Sequence, residues 1–374
     1  MITPEDYFPL ASTVEKTFTN LQPSPGDPKS YEHFGIISVN PINGHTIIVF
    51  RKGQNHVDNS DCGLIYLRHS TDGGANWSPE IQAFPGETGV DQRGAVGGYD
   101  SNGRLFVFYG RYVPIGFLNP GWKSMNYRYS NDDGFTWSIE YTLATQAPLQ
   151  PTNKGFLPNG HIVDVGNNIL YQPWYGLDAT NNSYSMYLYK STDGGLTFPN
   201  VIIVYSGPIY YGEQSMVNLG GGNFLILARD NTKFSFRQFK SEDNCQTWID
   251  QGDTLFVTSF YQSPPWLSFI NYEGVGIVAC YFTDRGQKKA FVIFGLAKDL
   301  IDIGPSSWNL TTIKDIYNYA PSDWDNGYQS FFLPQNQYKG IGVGFKEVNS
   351  ANAYPIVQFT NISGMKNVLV ALGL

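Results

Sequence analysis

Apolar and polar residues alternate through several short stretches of the chain, each ending in a cluster of small and polar residues. "GLIYLRHS" at 63–70, "SMNYRYS" at 124–130 and "YSMYLYKS" at 184–191 are three of them. Alternation with a period of two puts one set of side chains on each face of a strand, so these segments are predicted as β-strands. No long stretch with a 3.6-residue period is present, so helix is expected to be scarce and the fold all-β.

The strand ends run into one recurring pattern. It reads "HSTDGGANW" at 69–77, "YSNDDGFTW" at 129–137, "KSTDGGLTF" at 190–198 and "KSEDNCQTW" at 240–248. Its aspartates, Asp72, Asp132, Asp193 and Asp243, are 60, 61 and 50 residues apart. The hydroxyl and carboxylate can take hydrogen bonds from backbone N–H groups of a tight turn, and glycine accepts a positive φ there. The closing aromatic can pack between neighbouring sheets. The element therefore reads as a brace and not as a catalytic site. It resembles the Asp-box (BNR) repeat, S-x-D-x-G-x-x-W, and that resemblance implies a β-propeller of four-stranded antiparallel blades. At roughly 60 residues per repeat the chain divides into about six blades. Their expected bounds are near 30–90, 91–150, 151–207, 208–257, 258–320 and 321–374. The expectation is a single six-bladed domain over 1–374, with segment 1–29 supplying a strand that closes the ring.

Composition agrees with this picture and narrows the partners. Of 374 residues, 16% are aromatic and only 15% charged, and 40 are glycine, which suits short strands and tight turns. A formal net charge of −8 argues against a nucleic-acid partner, which calls for a basic face. Cys62, Cys245 and Cys280 are an odd number without metal-ligand spacing, so neither a disulfide framework nor a metal site is expected. His56 with Asp58 and Asp61 is too loose a set for a metal, and no loop has the D-x-D-x-D-G calcium spacing. The start, "MITPEDYFPL", lacks a basic segment followed by an apolar core, and no run reaches the length of a membrane span. A soluble protein is expected; its localisation stays open between secreted, phage-borne and cytoplasmic, and its oligomeric state is open too.

Further stretches resemble the sialidase (neuraminidase) family in chain order. "GEQSMVNLGGGNFLILAR", 212–229, is similar to the family's Glu before a strand, a Gly-rich turn and an Arg ending the next strand, here Glu213 and Arg229. "YQSPPWLSFINYEGVGIVACYFTDRG", 261–286, ends a strand pair in Arg285, where sialidases carry a further substrate-binding arginine. "DNGYQSFFLPQNQYKGIGVGFKE", 325–347, resembles the G-Y-S strand; the resemblance maps Tyr328 onto the nucleophile and Glu347 onto a carboxylate that orients an arginine. In "GHTIIVFRKGQNHVDNSDCGLIYLRHS", 44–70, Arg51 falls on the pocket arginine, and Asp58 or Asp61 on the acid/base, with spacing to the box favouring Asp58. One departure stands out. The family's Arg-Ile-Pro arginine, which completes a carboxylate-binding triad, meets "HFGIISV" here, with Gly35 at its place. Arg93 and Arg111 are the candidate substitutes, and the loss puts the role of Glu347 in question.

The residue types suit one chemistry. A sialic-acid glycoside carries a carboxylate on its anomeric carbon, which guanidinium groups grip through paired planar hydrogen bonds. A phenol nucleophile avoids the repulsion a carboxylate would meet there, and tyrosine is the known exception among retaining glycosidases. The resemblance implies Tyr328 as nucleophile, Glu213 as its base and Asp58 as acid/base, with Arg51, Arg229, Arg285 and Glu347 at the substrate and no cofactor. The implied activity is that of a retaining exo-glycosidase releasing sialic acid or a related nonulosonic acid from glycans. Two alternatives remain open, both prompted by Gly35: a non-catalytic glycan-binding propeller, and a propeller glycosidase or lyase for another sugar. Trp122, Trp174 and Trp324 are the loop aromatics positioned by the sequence to stack on a sugar.

Overall fold

The computed structural model describes residues 18–20, 31–54, 62–114, 117, 121–143, 156–177, 183–258, 263–318, 327–332, 339–349, 352–361 and 372–373. Strands β1 (Phe18–Asn20), β2 (Tyr31–Val39), β3 (Thr46–Gly53), β4 (Leu64–Ser70) and β5 (Ile81–Gln82) come first. A four-stranded sheet follows, of β6 (Asp91–Tyr99), β7 (Leu105–Val113), β8 (Gly121–Ser130) and β9 (Tyr141–Thr142). The next holds β10 (Phe156–Pro158), β11 (Val163–Asp164), β12 (Leu170–Leu177), β13 (Tyr184–Ser191) and β14 (Asn200–Gly207). Two more four-stranded sheets are β15 (Tyr211–Gly220), β16 (Asn223–Asp230), β17 (Ser235–Ser241), β18 (Ile249–Val257), and β19 (Trp266–Tyr272), β20 (Val275–Asp284), β21 (Lys289–Leu296), β22 (Asn309–Asn318). The strands β23 (Gly327–Phe332), β24 (Lys339–Asn349) and β25 (Asn352–Asn361) end the series. Among the described residues the one α-helix is α1, Ala297–Asp302.

The all-β expectation holds, but the blade number does not. The propeller has five blades, not six. The strands expected to form separate first and last blades belong to one eight-stranded sheet, β23-β24-β25-β2-β3-β4-β5, with β1 added on β25. The join is a parallel pairing of Tyr31 with Ala353, and β1 pairs antiparallel with β25 through Phe18 and Gln358. Dividing the chain by its repeat length assigns each unit its own sheet, whereas backbone groups at the two chain ends satisfy one another across that boundary.

Burial goes beyond the alternation: β13 is buried at six of its eight positions, since both of its faces are covered. Strand β3 is buried along all of its eight residues because it lies inside the largest sheet and is covered on both faces. Between the β6–β9 and β10–β14 sheets, Phe198 meets Phe108 and Tyr127 edge-on at ring-centroid distances of 5.3 and 5.1 Å. Phe198 is the closing aromatic of the third box, so that residue packs between sheets. Each such buried ring contributes roughly 2–3 kcal/mol of apolar transfer free energy.

The four boxes share one geometry. In each, the serine hydroxyl donates to the aspartate Oδ1 at 2.7–2.9 Å and accepts the backbone N–H four residues on at 2.7–3.0 Å. The aspartate Oδ1 accepts the N–H four residues beyond itself at 2.8–2.9 Å. The backbone and side-chain amides of Asn76 hold the Asp72 carboxyl down at about 2. Cys245 takes the glycine's place in the last box with φ of 65° and is fully buried. The second box also stitches two sheets together: the Asp133 carboxylate accepts from Asn40 at 2.7 Å, Tyr99 at 2.8 Å and Asn43 at 2.9 Å, and pairs with His45 at 2.8 Å.

A buried charge cluster ties β2, β3 and β4. Lys52 and Arg68 reach Glu80 at 2.8 and 2.9 Å, and lie 3.8 and 3.3 Å from Glu32. Burial pushes the Glu32 carboxyl up to about 7 against the pull of those cations, because its side chain has no exposure. Glu80, on the same cations but closer to solvent, is held below the usual carboxylate range.

Candidate functional site

The strand registers sort the chain's two groups of motifs to opposite rims. Ser70, which opens the first box, pairs with Thr46 at the start of β3, and Thr46 pairs with Val39 at the end of β2. The other rim holds the start of the first strand and the end of the second. In the largest sheet, His33 pairs with Arg51; in the next, Asp91 with Tyr112; in the fourth, Gly212 with Arg229. Arg285 directly follows Asp284, the last residue of β20, and so falls in the corresponding turn. Gly327 pairs with Phe345, which puts the beginning of β23, including Tyr328, and the later part of β24, including Glu347, at the same end of their hairpin. Neighbouring strands β2 and β6, β15 and β19, and β19 and β23 pack side by side, and β23 also packs against β2.

Several of these strands carry the same irregularity near that rim. The register shifts between His33 and Ile36 in β2, Arg93 and Val96 in β6, Gly212 and Ser215 in β15, and Gly327 and Ser330 in β23. A bulge leaves residues unpaired and turns them out of the ladder, which is how strands present side chains at a site. Glu213 lies inside its bulge with φ of 47°, a left-handed conformation uncommon for a non-glycine residue. Its Oε2 accepts from Arg229 Nη1 at 2.6 Å, with both side chains 13% exposed. Tyr175, Tyr184 and Tyr210 stand beside them. Tyr184 and Tyr210 stack at 4.4 Å, and burial, then the Glu213 charge, pushes the Tyr210 phenol well up. This aromatic group escaped the sequence reading, since 25 tyrosines mask any three.

Arg51 sits differently from a freely accessible pocket arginine. It is 1% exposed, and its Nε and Nη2 donate to the two oxygens of Asp91 at 2.8 and 3.2 Å. Arg93 Nε reaches the same carboxylate at 2.5 Å, and its guanidinium lies over the Tyr112 ring at 4.0 Å. Asp91, which joins these two arginines, escaped the sequence reading; the only signal was its place two residues before Arg93 at the start of a strand. Of the two substitute cations, Arg93 shares this cluster, whereas Arg111 is engaged by Glu87 and by Glu140.

The departure at Gly35 has a steric cause. A Cβ built there would lie 1.9 Å from the Val49 carbonyl oxygen and 2.9 Å from Phe50 Cα, so no larger residue fits this backbone. Asp58 and Asp61 lie outside the described residues, as do Trp324 and the side chains of Tyr328 and Glu347. Trp174 is fully buried, which corrects its assignment as a sugar-facing aromatic. Trp122 is half-buried and packs 5.2 Å from Tyr112. Among the described residues no three metal-binding side chains cluster, and no helix is long and apolar enough to cross a membrane.

Comparison with solved structures gives the fold's relatives. A protein of unknown function from Dyadobacter fermentans matches at TM-score 0.71 and 15% identity, over 93% of this chain and 99% of that one. The Hadza microbial sialidase Hz136 matches at TM-score 0.71 and 16% identity, over 93% and 69%. Trypanosoma rangeli sialidase matches at TM-score 0.70 and 14% identity; 95% of this chain is covered but only 61% of the sialidase. At such identities the likeness is one of fold. No curated protein matches the sequence. The model of the BNR repeat-like domain matches residues 59–263, more than half of the chain and a span that includes all four boxes, so the protein belongs to the BNR repeat-like domain family.

Proposed function

We propose that the protein is a retaining exo-glycosidase that releases sialic acid or a related nonulosonic acid from glycans. The observation that carries this reading is the Glu213–Arg229 contact of 2.6 Å, raised on a bulge at the rim where the strands bearing Tyr328 and Arg285 also begin or end. A glycan-binding module has no need of a carboxylate base or a tyrosine nucleophile.

In this reading Tyr328 Oη attacks the anomeric carbon while Glu213 takes its proton. The glycosidic C–O bond breaks, and the departing oxygen takes a proton from Asp58. Asp58 then deprotonates the water that displaces the tyrosine, whose oxygen recovers its proton from Glu213. Arg229 and Arg285 grip the sugar's carboxylate, and Arg93 supplies the third cation that Gly35 leaves out. Arg51 acts through Asp91, which it fixes, and Glu347 orients a neighbouring arginine. Tyr184 and Tyr210 offer an aromatic wall to the ring.

The test is Tyr328→Phe assayed on an aryl sialoside and on a pseudaminic-acid glycoside. Loss of at least a thousandfold in kcat on the substrate that wild type cleaves is expected. Unchanged turnover removes the assigned nucleophile, and wild-type binding without release from either glycoside favours a lectin-like module.

A further inference from the structure

The two bulges that carry the proposed base and nucleophile share three of four residues. Residues 212–215 read Gly-Glu-Gln-Ser and residues 327–330 read Gly-Tyr-Gln-Ser, and in both the register shifts between the glycine and the serine. At the first bulge the purpose of the glutamine is visible. Gln214 has no exposure, and its Nε2 donates to the carbonyl of Trp174, itself fully buried, at 2.7 Å. Asn159 Nδ2 donates to the Gln214 carbonyl at 3.0 Å, and on the other side Ser215 Oγ accepts the Leu267 N–H at 2.9 Å. The segment is thus clamped from the preceding sheet by Trp174 and Asn159 and from the following sheet by Leu267.

A glutamate at φ of 47° relaxes toward an extended conformation unless its surroundings fix it. A surface carboxylate on an unrestrained bulge would also sample several rotamers, and its contact with Arg229 would be intermittent. We infer that Gln214 is a positioning residue: its buried amide locks the bulge to Trp174 of the neighbouring sheet and so aims the Glu213 carboxylate. The inference rests on the reading of Glu213 as the base. Gln329 holds the matching place in the second motif.

The experiment compares Gln214→Met, of equal length without a donor, with Glu213→Gln. The methionine variant is expected to lose about a hundredfold in kcat with KM within twofold and the base-dependent limb of the pH profile displaced. The double variant is expected to be no slower than Glu213→Gln alone, since both act on one group. A methionine variant with wild-type kcat beside an inactive Glu213→Gln overturns the positioning role alone. An active Glu213→Gln overturns the reading of the base, and the crystal structure of Gln214→Met then decides positioning without any assay. There Glu213 is expected to leave the left-handed region and part from Arg229 beyond 3.5 Å; an unchanged bulge overturns the inference. Should Gln214→Met not fold, Asn159→Ala, at a half-buried position, replaces it, with about a tenfold loss in kcat expected and an unchanged rate counting against the clamp.

Discussion

Arg51 and Asp91 form a two-point ion pair across the boundary between two sheets, at 2.8 and 3.2 Å, with 1% and 0% of the side chains exposed. Arg93 Nε reaches the same carboxylate at 2.5 Å, so Asp91 joins two guanidiniums at this rim. Replacing Asp91 by Asn removes the carboxylate that both guanidiniums share, in a largely buried environment. Breaking a buried pair on one side costs about 3–5 kcal/mol. The expected outcome of Asp91→Asn is a fall in unfolding free energy of this size in a urea titration at unchanged m-value; a loss under about 1 kcal/mol would contradict it.

At Gly35 the structure forbids a simple restoration of the missing arginine. Gly35→Arg puts a Cβ into the Val49 carbonyl, at 1.9 Å, so the strand pair must open to admit it. The variant is expected to unfold at a lower temperature and to gain no affinity for acidic sugars. A variant as stable as wild type with tighter binding of a free nonulosonic acid, measured by calorimetry, would refute the steric account.

The boxes brace the rim away from the proposed site, so their loss should separate stability from catalysis. Ser130 Oγ is buried and makes three hydrogen bonds within its turn: it donates to Asp132 Oδ1 at 2.7 Å and accepts from Gly134 N at 2.8 Å and Asp132 N at 3.2 Å. Ser130→Ala strands a buried N–H and is expected to cost about 1–3 kcal/mol. KM and kcat at a temperature well below unfolding should equal those of wild type; a selective fall in kcat would instead link the turn to chemistry.

Glu32 makes stability depend on pH in a defined window. Its carboxyl is raised from 4.5 to about 7 in the folded chain, first by burial, so the native state keeps a proton that the unfolded chain gives up. The contribution is complete below pH 4.5, declines as pH rises, and is gone once pH passes about 7. The full swing is on the order of 3 kcal/mol. Glu32→Gln removes this titration, so the wild-type stability minus that of the variant should fall between pH 4.5 and 7. A difference that stays flat or rises across that interval would show that Lys52 and Arg68 hold Glu32 ionised.

The sequence by itself determined the local devices. The boxes around Asp72, Asp132, Asp193 and Asp243 were legible because the serine, the aspartate and the N–H groups that they bond lie within nine consecutive residues. The strands were legible for the same reason, since the alternation of apolar and polar residues is a property of one segment. Glu213 and Arg229 were visible as a strand–turn–strand motif, because their partnership spans only one hairpin. Tertiary structure decided what depends on distant chain segments. Tyr31 meets Ala353 only when the ends of the chain come together, and that pairing turns two expected blades into one sheet. Asp91 becomes the partner of Arg51 across a sheet boundary, and Trp174 disappears into the interior because its neighbours arrive from other strands. Gly35 looks like a lost functional group in the sequence, whereas in the fold it is a place where the Val49 carbonyl leaves no room for a side chain. Short-range hydrogen bonding is written in consecutive residues; packing between sheets depends on which surfaces the closed ring brings face to face.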